Sequence, residues 1–308
     1  MKTNKNKIGE ILLVAGTHGN ELTGIHLLNH LKKKRIEANY SSFSLDYLIA
    51  NPAAIKENKR YIDVDLNRSF KVEDLNNSEL KSKEALLAKK INQKYGPKLG
   101  KGKSKSKTDF IIDLHTSTAN MQTNIVITRI DEFHLQLASY LKQILPDVTI
   151  TSEAELLDDH HFLETIAPCG VLIEIGPVPQ GLLEYPTYEK TQLAVNACLD
   201  FVELFNKNTL QKLPEILNTF SYYSNLLFPL DDLGEISATV HPSLLGKYFP
   251  YLKKGDPVFI TFDGEDVLYS GEPSHLAFIN EAAYYDKKIA MCLCEEANYS
   301  LKTHQRIV

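Results

Sequence analysis

The chain has 308 residues, 43% of them hydrophobic, with a formal net charge of −5, so it is long enough to bury a core in one large domain or in a large and a small one. This charge gives no reason to expect a nucleic-acid partner, and no apolar stretch approaches the ~20 residues of a membrane span. The polar start, MKTNKNKIGE, lacks the apolar segment of a secretory leader, so we expect a cytoplasmic protein.

Strand and helix patterns alternate through the first two hundred residues. Three runs, residues 11–15, 110–115 and 171–175, are apolar enough to form central strands. Further predicted strands are residues 43–50 and 124–128, and the predicted helices are residues 21–34, 78–95, 132–145 and 188–206. This alternation predicts an α/β layer fold with a largely parallel or mixed central sheet.

The pattern changes after about residue 209, where glycine-containing turns separate short β-rich runs such as PVFITF and IAMCLC. We expect a catalytic α/β domain over residues 1–207 and a smaller β domain over residues 208–308. The segment KLGKGKSKSK, residues 98–107, predicts a flexible solvated loop, with anion steering as the alternative. The cysteines show no metal-site repeat and are expected to be reduced thiols: Cys169, Cys198, Cys292 and Cys294.

Three candidate metal ligands follow two of the predicted central strands. The segment GTHGNE places His18 and Glu21 three residues apart after the first strand, and His115 ends the second. A lone HxxE is common by chance. However, ligands of open α/β sheets bind outside the carboxyl ends of the strands. Two histidines and one carboxylate suit an open zinc site in which the fourth position is left for water.

Glu174, on the third apolar run, is predicted to lie near the same edge of the sheet. Zinc lowers the pKa of a bound water from 15.7 to about 7. Hydrolysis then needs a base that takes the proton of the water and returns it to the leaving amine. Glu174 is our candidate for that base, since a carboxylate in an apolar strand is costly to bury without a partner.

Two further segments contain candidate substrate-binding groups. In RYIDVDLNRSF, Arg60, Asn67 and Arg68 offer donors for an oxyanion and for a substrate carboxylate. Asp63 and Asp65 are candidates to orient these arginines or to support a ligand histidine. The alternative is a surface loop with many ion pairs. In NEAAYYDKK, two adjacent tyrosines lie beside charges, and the alternative is a half-buried aromatic pair in a β domain.

Six blocks in this order, GTHGNELTG, NPAA, RYIDVDLNRSF, DLHTSTANM, IEIGPVPQG and NEAAYYDKK, resemble the signature blocks of the aspartoacylase family, which belongs to the zinc carboxypeptidase-like hydrolases. The resemblance implies a mixed central sheet flanked by helices and a smaller C-terminal β domain that partly caps the channel to the metal. It further implies one Zn²⁺ per subunit on His18, Glu21 and His115, with Glu174 as general base and acid. It implies that Arg60 stabilises the oxyanion, that Asn67 and Arg68 hold the α-carboxylate, and that Tyr284 closes over it.

The implied substrates are small N-acyl amino acids, with N-acetyl-L-aspartate as the leading candidate and a homodimer as a possible assembly. The resemblance also implies that family members specific for this substrate carry an arginine and an accompanying tyrosine before the catalytic glutamate, which hold the aspartate side chain. Here ungapped counting leads to Glu164 and His160, and a glutamate would repel a β-carboxylate. The missing arginine therefore leaves a deacylase of N-acyl aromatic, neutral or otherwise acylated amino acids as an alternative. A separate alternative, from another functional class, is a non-catalytic metal-binding scaffold.

Overall fold

The computed structural model describes residues 7–98 and 106–307. Most of the predicted lysine-rich loop, residues 98–107, lies outside the described residues. The strands of the described part are β1 (Glu10–Ala15), β2 (Ser44–Ile49), β3 (Phe110–Thr116), β4 (Gln122–Ile127), β5 (Val148–Ser152), β6 (Cys169–Gly176), β7 (Ile216–Leu227), β8 (Ala238–Val240), β9 (Tyr251–Leu252), β10 (Pro257–Thr261), β11 (Asp266–Leu268), β12 (Ser274–Ala277), β13 (Ile289–Ser300) and β14 (Arg306–Ile307). The α-helices are α1 (Leu22–Lys34), α2 (Pro52–Lys56), α3 (Val72–Asn76), α4 (Lys83–Tyr95), α5 (Glu132–Ile144) and α6 (Tyr185–Lys207).

The central sheet is mixed, with the strand order β2-β1-β3-β6-β4-β5-β7-β13-β12-β9 and β14 paired to β13. Strands β2, β1, β3 and β6 are parallel to one another. Strand β4 runs antiparallel to β6 and parallel to β5. The carboxyl ends of β1, β3 and β6 therefore meet at one edge of the sheet, where the sequence places the candidate ligands.

The C-terminal strands extend this central sheet and also form a small sheet of their own. Strands β7, β13, β12 and β9 continue the central sheet in antiparallel pairs, while β11, β10 and β8 form the second sheet. The chain is thus a mixed α/β sheet flanked by helices with a C-terminal β region, as predicted. The division between residues 207 and 208 stays a prediction.

The two faces of the central sheet are covered differently. On one face, alternate residues of β1 (Ile11, Leu13 and Ala15) join the large core formed with α1, α5 and α6. On the other face, Leu12 and Val14 pack with residues of α4 and of the loop before β6. Successive side chains of a strand point to opposite faces, so this alternation assigns each strand residue to a face.

Most predicted elements differ from the structure by one to three residues at their ends, but α4 is an exception. Its start was predicted at residue 78, whereas the helix begins at Lys83. The hydroxyl of Ser82 accepts a hydrogen bond from the amide of Ala85 at 3.3 Å. Ser82 is therefore the N-cap, and the helix begins at the next residue. Helices α2 and α3 and strand β5 were not predicted. Across the described residues, no helix has the length and apolar character needed to cross a membrane; the cytoplasmic location stays a prediction.

Candidate active site

The three candidate metal ligands meet at the carboxyl edge of β1 and β3. His18 lies in the turn after β1, Glu21 immediately precedes α1, and His115 is the penultimate residue of β3. His18 Nδ1 lies 2.6 Å from Glu21 Oε1, and His115 Nδ1 lies 3.1 Å from Glu21 Oε2. One potential ligand atom of each residue lies within 4.8 Å of the others, and all three residues are buried. This set of donors fits a single metal ion.

The turn that holds two of these ligands packs tightly against the NPAA segment. A Cβ atom on Gly19 would lie 2.2 Å from the carbonyl carbon of Ala54, a distance that excludes any side chain. The amide of Gly19 donates to the carbonyl of Arg60 at 3.1 Å. Gly19 is therefore required where the backbone of the first motif passes the NPAA segment.

The outward nitrogens of the two histidines lie against carboxylates. His18 Nε2 is 3.1 Å from Asp65 Oδ1, and His115 Nε2 is 3.0 Å from Asp113 Oδ2. The Thr17 hydroxyl donates to Asp113 Oδ1 at 2.9 Å. Such carboxylate partners fix the orientation and tautomer of ligand histidines. We did not predict Asp113, although its position two residues before His115 on a strand places both side chains on one face.

The electrostatic environment of the ligands suits a cation. Burial alone would raise the pKa of Glu21, but the charges of His18 and His115 hold it well below its usual range. Against the opposing effect of burial, Asp113 and Glu21 hold the pKa of His115 well above its ordinary value. Imidazole and carboxylate donors suit zinc and several other divalent metals. His18, Glu21 and His115 therefore fit a zinc ion. The ion would take the place of the protons that these side chains share when no metal is bound.

Glu174 is the register partner of His115 in the β3–β6 pair, so the two side chains share a face of the sheet. On its other side, Glu174 is the register partner of Asn124 in β4. Burial raises the pKa of Glu174 to about 8; His115 opposes this rise and Glu21 adds to it. A carboxyl group with a pKa near neutrality can both accept and donate a proton under working conditions.

The Arg60 guanidinium lies directly beside the candidate metal ligands. Its Nη1 is 3.2 Å from Glu21 Oε1, and its Nη2 is 3.2 Å from Asp65 Oδ2. Asp65 thus contacts both Arg60 and His18, and it also accepts the amide of Asn67 at 2.8 Å. Burial lowers the pKa of Arg60, but Asp65 and Glu21 more than offset that effect, so the pKa lies above its usual value. The segment RYIDVDLNRSF does contain ion pairs, as expected for a surface loop. These ion pairs, however, lie beside the candidate metal ligands.

Asn67 and Arg68 occupy the short 3-10 helix Leu66–Arg68. Asn67 is buried, and its Nδ2 lies 3.4 Å from His115 Nε2. The Arg68 guanidinium stacks 4.9 Å from the ring centroid of Phe162 and donates to the carbonyl of Asn67. Asp63, by contrast, accepts the amide of Lys83 at the start of α4 through its Oδ2, and among the described residues it forms no ion pair with Arg60 or Arg68.

A buried carboxylate that we did not predict supports the loop before Asp65. Glu84 accepts the amides of Ile62, Asp63 and Val64 at 2.8, 3.0 and 3.2 Å. It also accepts the side-chain amide of Asn51 at 3.2 Å. Its position in the lysine-rich helix α4 carries no local signal for this role, since all four donors lie at least 20 residues away in sequence.

Tyr284 reaches the site from the C-terminal β region. It lies in the short 3-10 helix Ala282–Lys287, and it interacts electrostatically with Arg60, Arg68 and Glu174. The preceding carboxylate of Glu281 anchors this helix by accepting hydrogen bonds from the residue 117–119 turn. The hydroxyl of the second tyrosine, Tyr285, instead donates to Asn280. Only Tyr284 of the aromatic pair therefore faces the site.

Glu164, at the position expected for a specificity arginine, does not face the metal ligands. Its side chain is fully buried and accepts the hydroxyl of Thr128 at 2.8 Å. The backbone of Gly170 packs so closely that a Cβ there would lie 2.7 Å from the carbonyl oxygen of Glu164. His160 is also buried, and neither ring nitrogen has a hydrogen-bond partner among the described residues. The structure thus brings together all eight predicted site residues but leaves these two apart.

The fold and the buried cluster of imidazoles and carboxylates have the features of a metallohydrolase of the α/β class. Comparisons with known proteins narrow this class. Residues 7–202 match the succinylglutamate desuccinylase/aspartoacylase catalytic domain, and residues 215–296 match the AstE/AspA barrel-sandwich hybrid domain. The chain belongs to the succinylglutamate desuccinylase/aspartoacylase family, whose members are amidohydrolases acting on small acyl amino acids.

Relatives of similar identity carry different names. The chain is 40% identical over 291 residues to a probable aspartoacylase of Trichodesmium erythraeum, covering 94% of this chain and 98% of the relative. It is 39% identical over 301 residues to an N-acyl-aromatic-L-amino acid amidohydrolase (carboxylate-forming) of Xenopus tropicalis, covering 94% of each. The crystal structure of murine aminoacylase 3 superposes with a TM-score of 0.89 at 33% identity, covering 97% of this chain and 98% of that one.

Proposed function

We propose that this protein is a zinc-dependent amidohydrolase that converts an N-acyl-L-amino acid and water into a carboxylate and a free amino acid. The observation that carries this proposal is the register between β3 and β6, which sets Glu174 beside His115 on one face of the sheet. The side chains that fit a metal ion and the side chain that fits a general base are therefore adjacent. A non-catalytic scaffold has no need for this adjacency.

Each site residue has a proposed role. His18, Glu21 and His115 would hold the zinc ion, which when bound supplies a Lewis acid and lowers the pKa of a coordinated water. Glu174 takes a proton from the attacking water and delivers it to the amide nitrogen as the C–N bond breaks. Arg60, held by Glu21 and Asp65, donates to the carbonyl oxygen as it becomes an oxyanion.

Substrate orientation is proposed to depend on the α-carboxylate. Among the residues that the structure describes, Arg68 makes no ion pair within 4 Å, and its guanidinium donates to the carbonyl of Asn67. The remaining guanidinium donors are thus free to bind a carboxylate in a bidentate manner. Asn67 and Tyr284 flank this position, and Tyr284 would close over the bound substrate.

The side chain of the substrate defines two candidate functions. N-acetyl-L-aspartate is the substrate implied by the motif resemblance, and a relative named probable aspartoacylase supports it. N-acyl aromatic or other neutral amino acids are favoured by two structural observations. Glu164 replaces the expected arginine and is buried away from the site, and Tyr284 packs in an apolar cluster with Met121, Tyr222, Phe278 and Cys292. The geometry therefore favours the neutral substrates.

Amine release tests the proposal directly. The zinc-loaded protein is given equal concentrations of N-acetyl-L-aspartate, N-acetyl-L-glutamate, N-acetyl-L-tyrosine and N-acetyl-L-methionine, each with and without chelator. We expect release that chelator abolishes and added zinc restores, with a neutral substrate preferred. Release dominated by N-acetyl-L-aspartate would instead select the aspartoacylase assignment. A complete lack of release from all four would refute the amidohydrolase proposal.

A further inference from the structure

A second carboxylate, Glu153, lies on the same face of the sheet as the proposed base. It follows β5 directly, and its amide donates to the carbonyl of Ile127 in β4 at 3.0 Å, so strand geometry continues through it. It therefore points to the same side as Thr151, two residues earlier. The hydroxyl of Thr151 accepts a hydrogen bond from Asn124 at 3.1 Å, and Asn124 is the register partner of Glu174.

The neighbours of Glu153 include two residues proposed to bind substrate, Arg68 and Tyr284. Its charge acts on Tyr284, on Tyr222 and on the Cys292 thiol, all members of one apolar cluster. Arg68 is the one charged group that acts appreciably on Glu153. Glu153 itself is half-buried. Glu153 therefore lies near Arg68 and Tyr284, on the face of the sheet that carries Glu174.

The Glu153 carboxylate is poorly compensated. Among the described residues it accepts no hydrogen bond and forms no ion pair, and burial raises its pKa to about 7 against the opposing charge of Arg68. A carboxylate in such surroundings costs stability unless it is paired. Its neighbour Glu155, by contrast, is exposed and pairs with Arg306 at 3.0 Å. A half-buried carboxylate without a partner does not stabilise the fold, so we look to substrate recognition for its role.

We infer that Glu153 is the specificity-determining residue that excludes acidic side chains from the substrate site around Arg68 and Tyr284, so that the substrates carry uncharged side chains. This inference rests on the proposed function. When the α-carboxylate of the substrate occupies Arg68, that cation no longer offsets a second negative charge. An aspartate side chain in the remaining space would face Glu153 and the apolar cluster around Tyr284. A neutral side chain meets no such repulsion and buries apolar surface.

The test uses two substrates of nearly identical shape, N-acetyl-L-aspartate and N-acetyl-L-asparagine, which differ in charge. We expect the wild-type enzyme to have the higher kcat/KM for the asparagine compound. In Glu153→Gln and Glu153→Ala, the ratio of kcat/KM for aspartate to that for asparagine should rise at least about tenfold, because repulsion between charges a few ångströms apart is removed. The matched control Glu155→Gln should leave the ratio unchanged.

The outcomes separate this inference from the proposed function. Equal losses on both substrates in the Glu153 variants would mean that Glu153 only positions Arg68, and a wild-type preference for aspartate would overturn the inference outright. Chelator-sensitive hydrolysis of N-acetyl-L-tyrosine, measured in parallel, reports on the proposed function alone. If the enzyme cleaves the tyrosine compound but neither test compound, their inhibition constants replace kcat/KM, and equal constants overturn the role of Glu153. Failure on the tyrosine compound overturns the function itself.

Discussion

Two regions of the molecule, the metal-ligand cluster (the metal end) and the loop of residues 153–168 (the loop end), differ in how completely their polar side chains are compensated. At the metal end, Glu21 contacts His18, His115 and Arg60, and Asp65 contacts both His18 and Arg60. At the loop end, residues 153–168, Glu153 is unpaired among the described residues, and one oxygen of Glu164 has no hydrogen-bond partner in that part of the chain.

This difference separates catalysis from selectivity. Preorganised charges lower a reaction barrier only if the protein holds them rigidly, and mutual contacts provide that rigidity. The loop end carries polar groups whose compensation is incomplete, so it tolerates exchange of residues that contact the variable part of a substrate. We expect changes at the metal end to reduce kcat on every substrate, and changes at the loop end to alter stability or preference.

The largest expected effect is the loss of the proposed base. Glu174→Gln keeps the size of the side chain but cannot accept the proton of water, so kcat should fall by about 10²- to 10⁴-fold. Bound zinc, measured by metal analysis of the purified variant, should remain unchanged. Glu189→Gln, on the exposed side of α6, is the matched control. Retained turnover in Glu174→Gln would remove Glu174 from the mechanism. The metal end and the loop end would then no longer differ in their effect on catalysis.

The next largest effect on turnover is expected from a change of Arg60, whose guanidinium lies beside the metal ligands. In Arg60→Lys the charge is kept, but an ammonium group cannot span Glu21 and Asp65, both 3.2 Å from the guanidinium. We expect kcat to fall by about 10²- to 10³-fold with a smaller change in KM, because the lost contact forms with the oxyanion. Arg306→Lys, at an exposed ion pair, is the control. A change confined to KM would assign Arg60 to substrate binding.

The sequence could predict those site residues whose signals are local along the chain. His18, Glu21 and His115 were predictable because strand ends and an i, i+3 spacing are local signals, and the register of parallel strands brings them together. Glu84 and Glu153 were not, because their environments are built by residues far away along the chain. For α4, helix propensity over residues 78–82 suggested an early start, and the Ser82 cap overrode it.

A smaller effect is expected from the carboxylate that orients a ligand. Asp113 is fully buried, 3.0 Å from His115 Nε2. Asp113→Asn removes its charge and should weaken zinc binding by about 10- to 100-fold, as loss of such partners typically does. Competition against a chromophoric chelator measures this, with the exposed Asp147→Asn as control. An unchanged affinity would show that Asp113 contributes only packing, and that the metal end is less dependent on mutual contacts than proposed.

The last expected effect lies at the loop end and concerns stability rather than catalysis or metal binding. Burial raises the pKa of Glu164 from 4.5 to about 7. Between these values the unfolded chain has released a proton that the folded protein keeps, so the free energy of unfolding falls as pH rises and levels off above pH 7. At about 1.36 kcal/mol per pKa unit, the loss reaches at most about 3 kcal/mol.

Glu164→Gln removes this loss, because the amide can still accept the Thr128 hydroxyl without ionising. Urea unfolding at pH 5 and pH 8 should show the variant close to the wild type at pH 5 and more stable by up to about 3 kcal/mol at pH 8. The exposed Glu155→Gln should track the wild type at both. Parallel behaviour of Glu164→Gln and wild type would mean that Glu164 ionises freely in the folded state. The loop end would then carry no cost from its unpartnered oxygen, and the contrast between the two ends would rest on Glu153 alone.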